Sequence, residues 1–591
     1  MSHRCVLLAA AVAAVLSVVV AHGQPRQIDE FFHDFTAEWV RGSPNLATRS
    51  RYFAGTEQDQ LERRLTPESD DYRRARIALA RKGLKELGAF DRSTMSVSRQ
   101  VSADLLQWQL DMTIREEPYL DYTFPLQQMN GVNVAVVEGL TVAHPLASDH
   151  DAVNYLAALG QVAARMDEAI ARSRRLAAKA IIPPAFILQA TIKQMRSFSD
   201  SAPSQNPFVV TLAQKIAGVT AMSAARRTEL GARAETIVSQ QIYPVWKKAI
   251  AELESQFPRA GNDAGLWRLE GGAAAYEYFL RRFTTTSLSG EQIHDIGLRE
   301  VDRLEKEMDQ ILRRLGRTDG PLTTRIEALK KDLGYPITEE GRTAIMADVK
   351  GILADAQTRS AAVFDQVPRS AVVAQPFPRF REANAAANYN APAPDGSRPG
   401  TFQIPLRPER MTKFGLRSLV YHETVPGHHF QIALQVENRG LPRFRQIGAF
   451  GGISALSEGW GLYAERLAAE AGWYDGDPEG LLGQLDSALF RARRLVVDTG
   501  IHLKHWTRQQ AIDYGIEASE VERYVVYPGQ ACSYMIGQLK IVELREKARQ
   551  ALGGAFTERA FHAVILDTGT VPLEILERQV DQYISALRGR R

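Results

Sequence analysis

One short stretch of the 591-residue chain concentrates the residue types that carry metal chemistry. Three of the twelve histidines, His422, His428 and His429, lie within eight residues, and Glu423 directly follows the first of them. A zinc-protease helix places two histidines four residues apart on one face with a glutamate beside the first, so that both imidazoles reach one ion and the carboxylate reaches its water. The residue types therefore indicate metal-assisted hydrolysis, but the fourth residue after His422 is Pro426.

The spacing of the histidines does not fit a regular helix. At about 100° per residue His428 would lie on the wrong side, whereas His429 would face correctly but stand about 10 Å along the axis. Pro426 cannot donate to the carbonyl of His422 and Gly427 tolerates unusual backbone angles, so we expect a bulge that swings a later histidine inward. A widened turn favours His428. The alternative is that His422 packs or caps a helix and that the later two histidines are surface residues.

A catalytic zinc ion needs a third protein ligand and an open position for water. Residues 455–465 predict an apolar helix in which Glu458 is embedded, thirty residues after His428. A carboxylate buried there needs a partner, which is either a metal ion or an arginine. Glu465 follows about two turns later on the same face and suits an orienting or solvated role.

Two later segments offer donors for the oxyanion that forms when water attacks a carbonyl. Asp498 and His502 stand four residues apart on a predicted helix, so the carboxylate could orient the imidazole in either a catalytic or a structural pair. Gln530, Tyr534 and Gln538 follow at four-residue spacing and predict one polar stripe, with a solvated helix face as the alternative.

These residues must be positioned by a chain that is mainly helical. Apolar residues recur at three- and four-residue spacing in long segments rich in Ala, Leu, Arg and Glu. The clearest predicted helices are 28–40, 70–87, 151–178, 227–257 and 291–315.

The segment 380–406 predicts a small β-sheet beside the helix that carries His422. Residues 388–390 and 400–404 indicate two short strands around a turn-rich loop. An exposed strand edge binds an extended peptide through main-chain hydrogen bonds, so we expect Asn388 and Tyr389 to contact substrate. Arg398 in the loop could bind a substrate carboxylate or brace the loop through Asp395.

Composition excludes several classes of protein. Lys+Arg number 72 and Asp+Glu 69, which leaves a net charge of +3 and argues against a nucleic-acid partner held by bulk charge. With 45% hydrophobic and 24% charged residues, the chain is neither disordered nor a multi-span membrane protein. The oligomeric state is left open.

The first 23 residues predict a signal peptide. Arg4 precedes the apolar run 5–21, and Ala21-His22-Gly23 suits cleavage after Gly23, with an uncleaved anchor as the alternative. Cys5 stands at the start of the apolar run and not at the cleavage point after it, so a lipid-modified N-terminus is not indicated. We expect an exported protein, periplasmic or secreted, without stable membrane insertion. Cys532 is then the single cysteine and no internal disulfide is expected.

Four separated motifs carry a resemblance to one family. They are His422-Glu423-x-x-Pro426-Gly427-His428, residues 395–400 (Asp-Gly-Ser-Arg-Pro-Gly), residues 457–460 (Ser-Glu-Gly-Trp) and residues 527–531 (Tyr-Pro-Gly-Gln-Ala). In this order they resemble the bacterial domain-of-unknown-function family 885, whose members are similar to gluzincin-type zinc metallopeptidases. The resemblance implies a two-lobed helical fold with a deep cleft, and we place the lobes at 24–285 and 286–591. It also favours His428 over His429.

The same resemblance implies a zinc peptidase. Zn²⁺ on His422, His428 and Glu458 would acidify its bound water, and Glu423 would take the proton and pass it to the leaving amine. Related peptidases use a late tyrosine for the tetrahedral intermediate. The candidates here are Tyr534 and then Tyr527, with His502 as a further donor and Gln530 as a substrate contact. Short peptides are the expected substrates, by carboxypeptidase-like or oligopeptidase-like cleavage.

Two other classes of function compete with this interpretation. One is a non-catalytic helical metal-binding or scaffold protein that keeps the fold. The glutamate beside His422 argues against this alternative, because a site that only binds a metal ion needs no base. The other is a metal-free hydrolase, but the sequence has no Gly-x-Ser-x-Gly elbow, no phosphate loop and no motif around Cys532.

Overall fold

The computed structural model describes residues 27–377, 379–382, 386–393, 396 and 398–589. The predicted signal peptide and Asp395 lie outside the described residues. None of the described helices is both long enough and apolar enough to cross a bilayer.

The described residues form a mainly α-helical protein, as the sequence predicts. The helices of the first half are α1 Ile28–Arg41, α2 Pro44–Ser50, α3 Gly55–Glu62, α4 Asp70–Leu87, α5 Val97–Arg115, α6 Val132–Glu138, α7 Asp149–Leu159, α8 Val162–Ala178, α9 Ala185–Ser199, α10 Pro207–Ala217, α11 Ala224–Ile237 and α12 Tyr243–Gln256. The predicted helix 151–178 is two helices, because α7 ends at a glycine cap, Gly160.

The helices of the second half carry the candidate site. They are α13 Gly272–Thr284, α14 Gly290–Arg314, α15 Leu322–Asp332, α16 Glu339–Ser360, α17 Arg379–Glu382, α18 Lys413–Glu423, α19 His428–Glu437, α20 Arg443–Ile447, α21 Ser454–Glu470, α22 Pro478–His502, α23 Arg508–Asp513, α24 Ala518–Val526, α25 Ser533–Leu552, α26 Glu558–Thr568 and α27 Leu573–Arg588. Helix α14 packs along α22, α21 packs along α25, and α18 contacts both α21 and α22.

A three-stranded sheet precedes α18. Its strands are β1 Val372–Pro376, β2 Asn388–Asn390 and β3 Gly400–Ile404, in the order β1-β3-β2. The two predicted strands pair antiparallel, while β1, which the sequence analysis missed, pairs parallel with β3. Strand β3 is therefore central and has no free edge, so a substrate edge within the predicted pair is restricted to β2.

The apolar cores do not follow sequence order. One core combines residues 28–112 with residues 266–584, and a second lies within residues 65–253. The first helices of the chain thus pack with the half that carries the metal motif. The lobe boundary at residue 285 stays a prediction. Cys532 is a buried free thiol.

Helices α21 and α25 approach each other at two glycines. A Cβ atom added to Gly537 would lie 1.8 Å from the carbonyl oxygen of Ala455, and one added to Gly459 would lie 2.5 Å from the carbonyl carbon of Gly537. No side chain fits between these backbones. This contact fixes α21, the helix that carries Glu458.

Gly537→Ala is expected to lower the free energy of unfolding by about 1–3 kcal/mol or more, because the added methyl group forces the two helices apart. The control is Gly351→Ala in α16, where an added Cβ would meet nothing within 4 Å. There the better helix propensity of alanine is expected to leave stability equal or raise it by up to about 1 kcal/mol. Thermal unfolding followed by circular dichroism measures both, and equal midpoints would contradict the close-packing argument.

Candidate metal centre

The expected bulged helix is in fact two helices, α18 and α19, which are joined by a short turn. Helix α18 ends at Glu423, residues 424–427 form a turn, and α19 begins at His428. The amide of Gly427 donates to the carbonyl of Tyr421 at 3.0 Å, and a Cβ at Gly427 would lie 1.9 Å from the carbonyl oxygen of His422. Only a glycine fits this reversal.

The turn brings the two predicted histidine ligands together. The ring centroids of His422 and His428 are 4.7 Å apart. The Glu458 Oε2 atom lies 3.4 Å from Nε2 of His422 and 3.5 Å from Nε2 of His428. Ligand atoms around a tetrahedral ion with bonds of about 2.1 Å stand about 3.4 Å apart. The group of one oxygen and two nitrogens, all within 4.8 Å of one another, could therefore hold a metal ion.

The electrostatics of this group call for positive charge. Burial opposes protonation of His422, yet hydrogen bonds to Glu458 and Glu465 raise its pKa to about 10. Burial likewise disfavours ionised Glu458, but His422 and His428 outweigh burial and hold its pKa well below the usual range. The buried Glu465 and the partly buried Glu458 thus both act on one imidazole, and a divalent cation would satisfy that demand.

Glu465 orients His422 from the other side of the ring. The Nδ1–H group of His422 donates to Oε1 of Glu465 at 2.8 Å. Glu465 is completely buried and also accepts hydrogen bonds from the hydroxyls of Ser418 and Ser487, the latter at 2.7 Å. With Nδ1 occupied, Nε2 faces Glu458. This is the arrangement in which an outer carboxylate fixes a histidine ligand.

Two further residues of the 457–461 segment shape the group, and sequence reasoning gave them no role. The indole N–H of Trp460 donates to the carbonyls of Pro426 and Gly427 at 2.9 and 3.1 Å, which anchors the turn. A Cβ at Gly461 would lie 2.7 Å from Cε1 of His422. Gly461 stands three residues after Glu458, on the same helix face, and that spacing was the available signal.

Glu423 is buried beside the metal group, with 8% of its surface exposed. Within the described residues its carboxylate makes no hydrogen bond or ion pair of its own. Burial raises its pKa, while the neighbouring histidines oppose that shift and Glu458 adds to it. Glu423 is thus a carboxylate with increased proton affinity, as a general base requires.

His429 points to the β-sheet and not to Glu458. Its Nδ1 atom lies 2.9 Å from the hydroxyl of Tyr389, and burial lowers its pKa to about 4. The Tyr389 hydroxyl, expected to contact substrate, is therefore engaged by His429. The side-chain amide of Asn388 donates to the carbonyl of Ala386 at 3.2 Å.

His502 does not pair with Asp498, contrary to the prediction from their spacing. Its Nδ1 accepts the amide N–H of Leu266 at 3.1 Å, and its Nε2–H donates to the carbonyl of Tyr524 at 3.0 Å. Burial lowers its pKa to about 4. Both ring nitrogens are thus occupied by backbone groups, which leaves none for an oxyanion.

Asp498 instead holds the turn that follows Tyr527. Its carboxylate accepts the hydroxyl of Tyr276 at 2.6 Å and the amide of Gly529 at 3.0 Å. Gly529 has a φ of 77°, a left-handed conformation that favours glycine. Asp498, which was expected to orient His502, therefore stabilises the 527–529 turn.

The two candidate tyrosines lie in different surroundings. The ring of Tyr527 meets Phe283 edge-on at 5.0 Å. Burial raises the pKa of Tyr527, while Arg282 and Arg523 oppose this shift and Tyr534 and Glu458 add to it. Tyr534 lies under the Arg494 guanidinium, 4.5 Å from the ring centroid.

The glutamines of the predicted polar stripe have partners inside the protein. The Gln530 amide donates to the Ser454 hydroxyl at 3.2 Å, and its oxygen accepts from Arg523. Gln538 is buried and donates to the carbonyl of Leu462 at 2.8 Å. Neither lies on a solvated helix face.

Arg398 is exposed and lines a surface cavity of about 560 Å³ with Arg369, Glu437 and Arg439. Glu437 is the last residue of α19, about 13 Å along the helix from His428. Tyr527 lines another cavity, and the two cavities share no lining residue. Arg398 and Tyr527 therefore line different cavities.

Glu465→Gln is expected to weaken metal binding by about 10–100-fold, because the amide supports the His422 imidazole less well than a carboxylate does. The control is Glu470→Gln on the same helix, whose carboxylate pairs with Arg466 and Arg545 at 2.7 and 2.5 Å. Competition of each variant with a chelator measures affinity for zinc. Equal affinities in the two variants would remove the orienting role of Glu465.

Comparisons with other proteins place this fold among bacterial proteins. One solved structure, of a candidate lipoprotein from Colwellia psychrerythraea, is 31% identical, with a TM-score of 0.89 over 95% of this chain and 99% of that chain. Another, of a candidate lipoprotein of unknown function from Shewanella oneidensis, is 18% identical, with a TM-score of 0.70 over 94% of this chain and 99% of that one. No functionally curated protein shows significant similarity. The family model described as bacterial protein of unknown function (DUF885) matches residues 44–580, and the chain belongs to this family.

Proposed function

We propose that this protein is a zinc-dependent peptidase that hydrolyses short peptides outside the cytoplasm. The observation that carries the proposal is the spacing of His422 Nε2, His428 Nε2 and Glu458 Oε2, which suits one tetrahedral ion. Two imidazoles and one carboxylate form a ligand set of catalytic zinc and leave one position open for water. A predicted signal peptide, and similarity to a candidate lipoprotein, support export.

The residues around the group supply the remaining chemistry. Bound zinc would polarise the scissile carbonyl and lower the pKa of its water. Glu423 would take a proton from the attacking water and return it to the leaving amine. Tyr534 and Tyr527 are the candidate donors to the oxyanion.

The alternative is a metal-binding or scaffold protein without catalysis. The Glu423 carboxylate argues against it. Burying a carboxylate costs stability even beside His422, His428 and Arg491, and a purely structural site would not need it. Peptide hydrolysis explains why Glu423 lies beside the metal ligands, because the reaction needs a general base there.

His428→Ala is expected to abolish zinc binding, because it removes one of three protein ligands. His429→Ala is the matched control, since this adjacent imidazole contacts Tyr389 and not Glu458. Elemental analysis after dialysis against zinc should give about one ion per chain in the control and none in His428→Ala. Absence of zinc from the wild-type protein would contradict the proposal, and the reverse pattern would reassign the second ligand.

Glu423→Gln is expected to retain zinc but to lose about 10²–10⁴-fold in turnover, because an amide cannot accept the proton of the attacking water. A library of short peptides analysed by mass spectrometry measures turnover, and elemental analysis measures zinc. Parallel loss of zinc and activity would place Glu423 among the ligands. Failure of the wild-type protein to cleave any peptide would favour the scaffold alternative.

A further inference from the structure

A cavity of about 310 Å³ lies on the side of Tyr527 that faces α13 and the N-terminal helices. Its volume is at the lower end of ligand pockets. Its wall combines charged and aromatic side chains from distant parts of the chain, among them Glu68, Arg73, Arg172, Arg282, Phe283 and Tyr527.

Two arginines in this wall have no carboxylate partner within the described residues. Arg172 is 5% exposed, and its guanidinium donates to the carbonyls of Leu120 and Thr123 and to the Thr123 hydroxyl. Its Nε is buried without a hydrogen-bond partner in the described part of the chain. Arg282 hydrogen-bonds to the hydroxyl of Tyr278. Arg172 is buried and Arg282 is partly buried, and within the described residues neither forms the ion pair that a cation removed from water normally has.

The acidic side chains of the cavity do not balance this charge. Arg73 already pairs with Glu68 at 3.2 Å. Glu116 is the other acid of the wall, so three arginines face two glutamates. Burial and the charge of Arg73 lower the pKa of Arg172 only to about 10, so Arg172 stays charged at neutral pH. The cavity therefore carries surplus positive charge.

The cavity also lies near the start of α21, the helix that carries Glu458. Tyr527 forms part of its wall, and both the Arg282 guanidinium and the Glu458 carboxylate act on this phenol. The Arg282 Nη2 atom lies 3.9 Å from the position that a Cβ on Gly451 would take, three residues before α21 begins. Arg282 is thus close to the start of the helix that carries Glu458.

We propose that this cavity binds the free C-terminal carboxylate of a peptide through Arg282, with the scissile bond at the group formed by His422, His428 and Glu458. This inference rests on the proposed peptidase function and specifies its substrate class. A guanidinium binds a carboxylate through two parallel hydrogen bonds, which gives direction as well as affinity. A cavity of this volume holds one or two residues beyond the cut, so the enzyme acts as a carboxypeptidase on short peptides.

The test measures binding without requiring catalysis. In the Glu423→Gln protein loaded with zinc, calorimetry compares an N-acetylated tripeptide of neutral side chains with its C-terminal amide. The free acid should bind about 10–100-fold more tightly, the difference expected of a charge-assisted hydrogen-bonded pair. Arg282→Ala should remove this difference, and Arg282→Lys should keep part of it. If circular dichroism shows that Arg282→Ala is misfolded, the preference of Arg282→Lys for the free acid decides the test.

The matched control is Arg281→Ala, because this neighbouring arginine pairs with Glu574 at 2.5 Å and does not line the cavity. It should keep the preference for the free acid. Equal affinities of the free acid and the amide in the parent protein would overturn the proposal. It would also be overturned if Arg398→Ala lost the preference for the free acid while Arg282→Ala retained it. A preference that survives in a protein with no peptidase activity would support the carboxylate site and refute the peptidase function, so the two failures are distinguishable.

Discussion

The contact on which the site depends is the Glu458 carboxylate between the imidazoles of His422 and His428. A carboxylate removed from water is tolerated only if positive charge and hydrogen bonds are delivered to it with good geometry. Three helices must therefore meet at one point, α18 and α19 through the turn 424–427 and α21 from a later part of the chain. Much of the surrounding sequence is explained by this requirement.

Small residues allow the helices to meet so closely. Gly459 and Gly537 bring α21 against α25, and Gly461 leaves room for the His422 ring. Polar groups then hold the orientation, with Glu465 on the far nitrogen of His422 and the Trp460 indole on the turn. The negative metal group and the positive cavity beside Tyr527 are separate charge surpluses. A peptide with a free carboxylate is complementary to the cavity, and a metal ion is complementary to the group.

Local features of the site and fold were predictable from the sequence. Helical periodicity is a short-range property, and it correctly indicated a mainly α protein. Two of the three strands followed from their flanking turn residues. Pro426 and Gly427 predicted an irregular helix after His422 and favoured His428, whereas the family resemblance supported a metal ion over an arginine as the partner of Glu458. Apart from the family resemblance, each of these inferences depends on residue types within a few positions of one another, or on the cost of burying a charge.

Other features were decided by tertiary structure, since they depend on residues that are remote in the chain. The spacing of Asp498 and His502 suggested a pair, but folding brings the backbone of Leu266 and Tyr524 to the imidazole and the amide of Gly529 to the carboxylate. Parallel pairing of β1 with β3 is likewise non-local. The sequence alone limited the candidate ligands to three neighbouring histidines and Glu458, and the fold brought His422, His428 and Glu458 together. Only the fold determined which arginines are left without an acid, because the absence of a partner is a property of the packed neighbourhood.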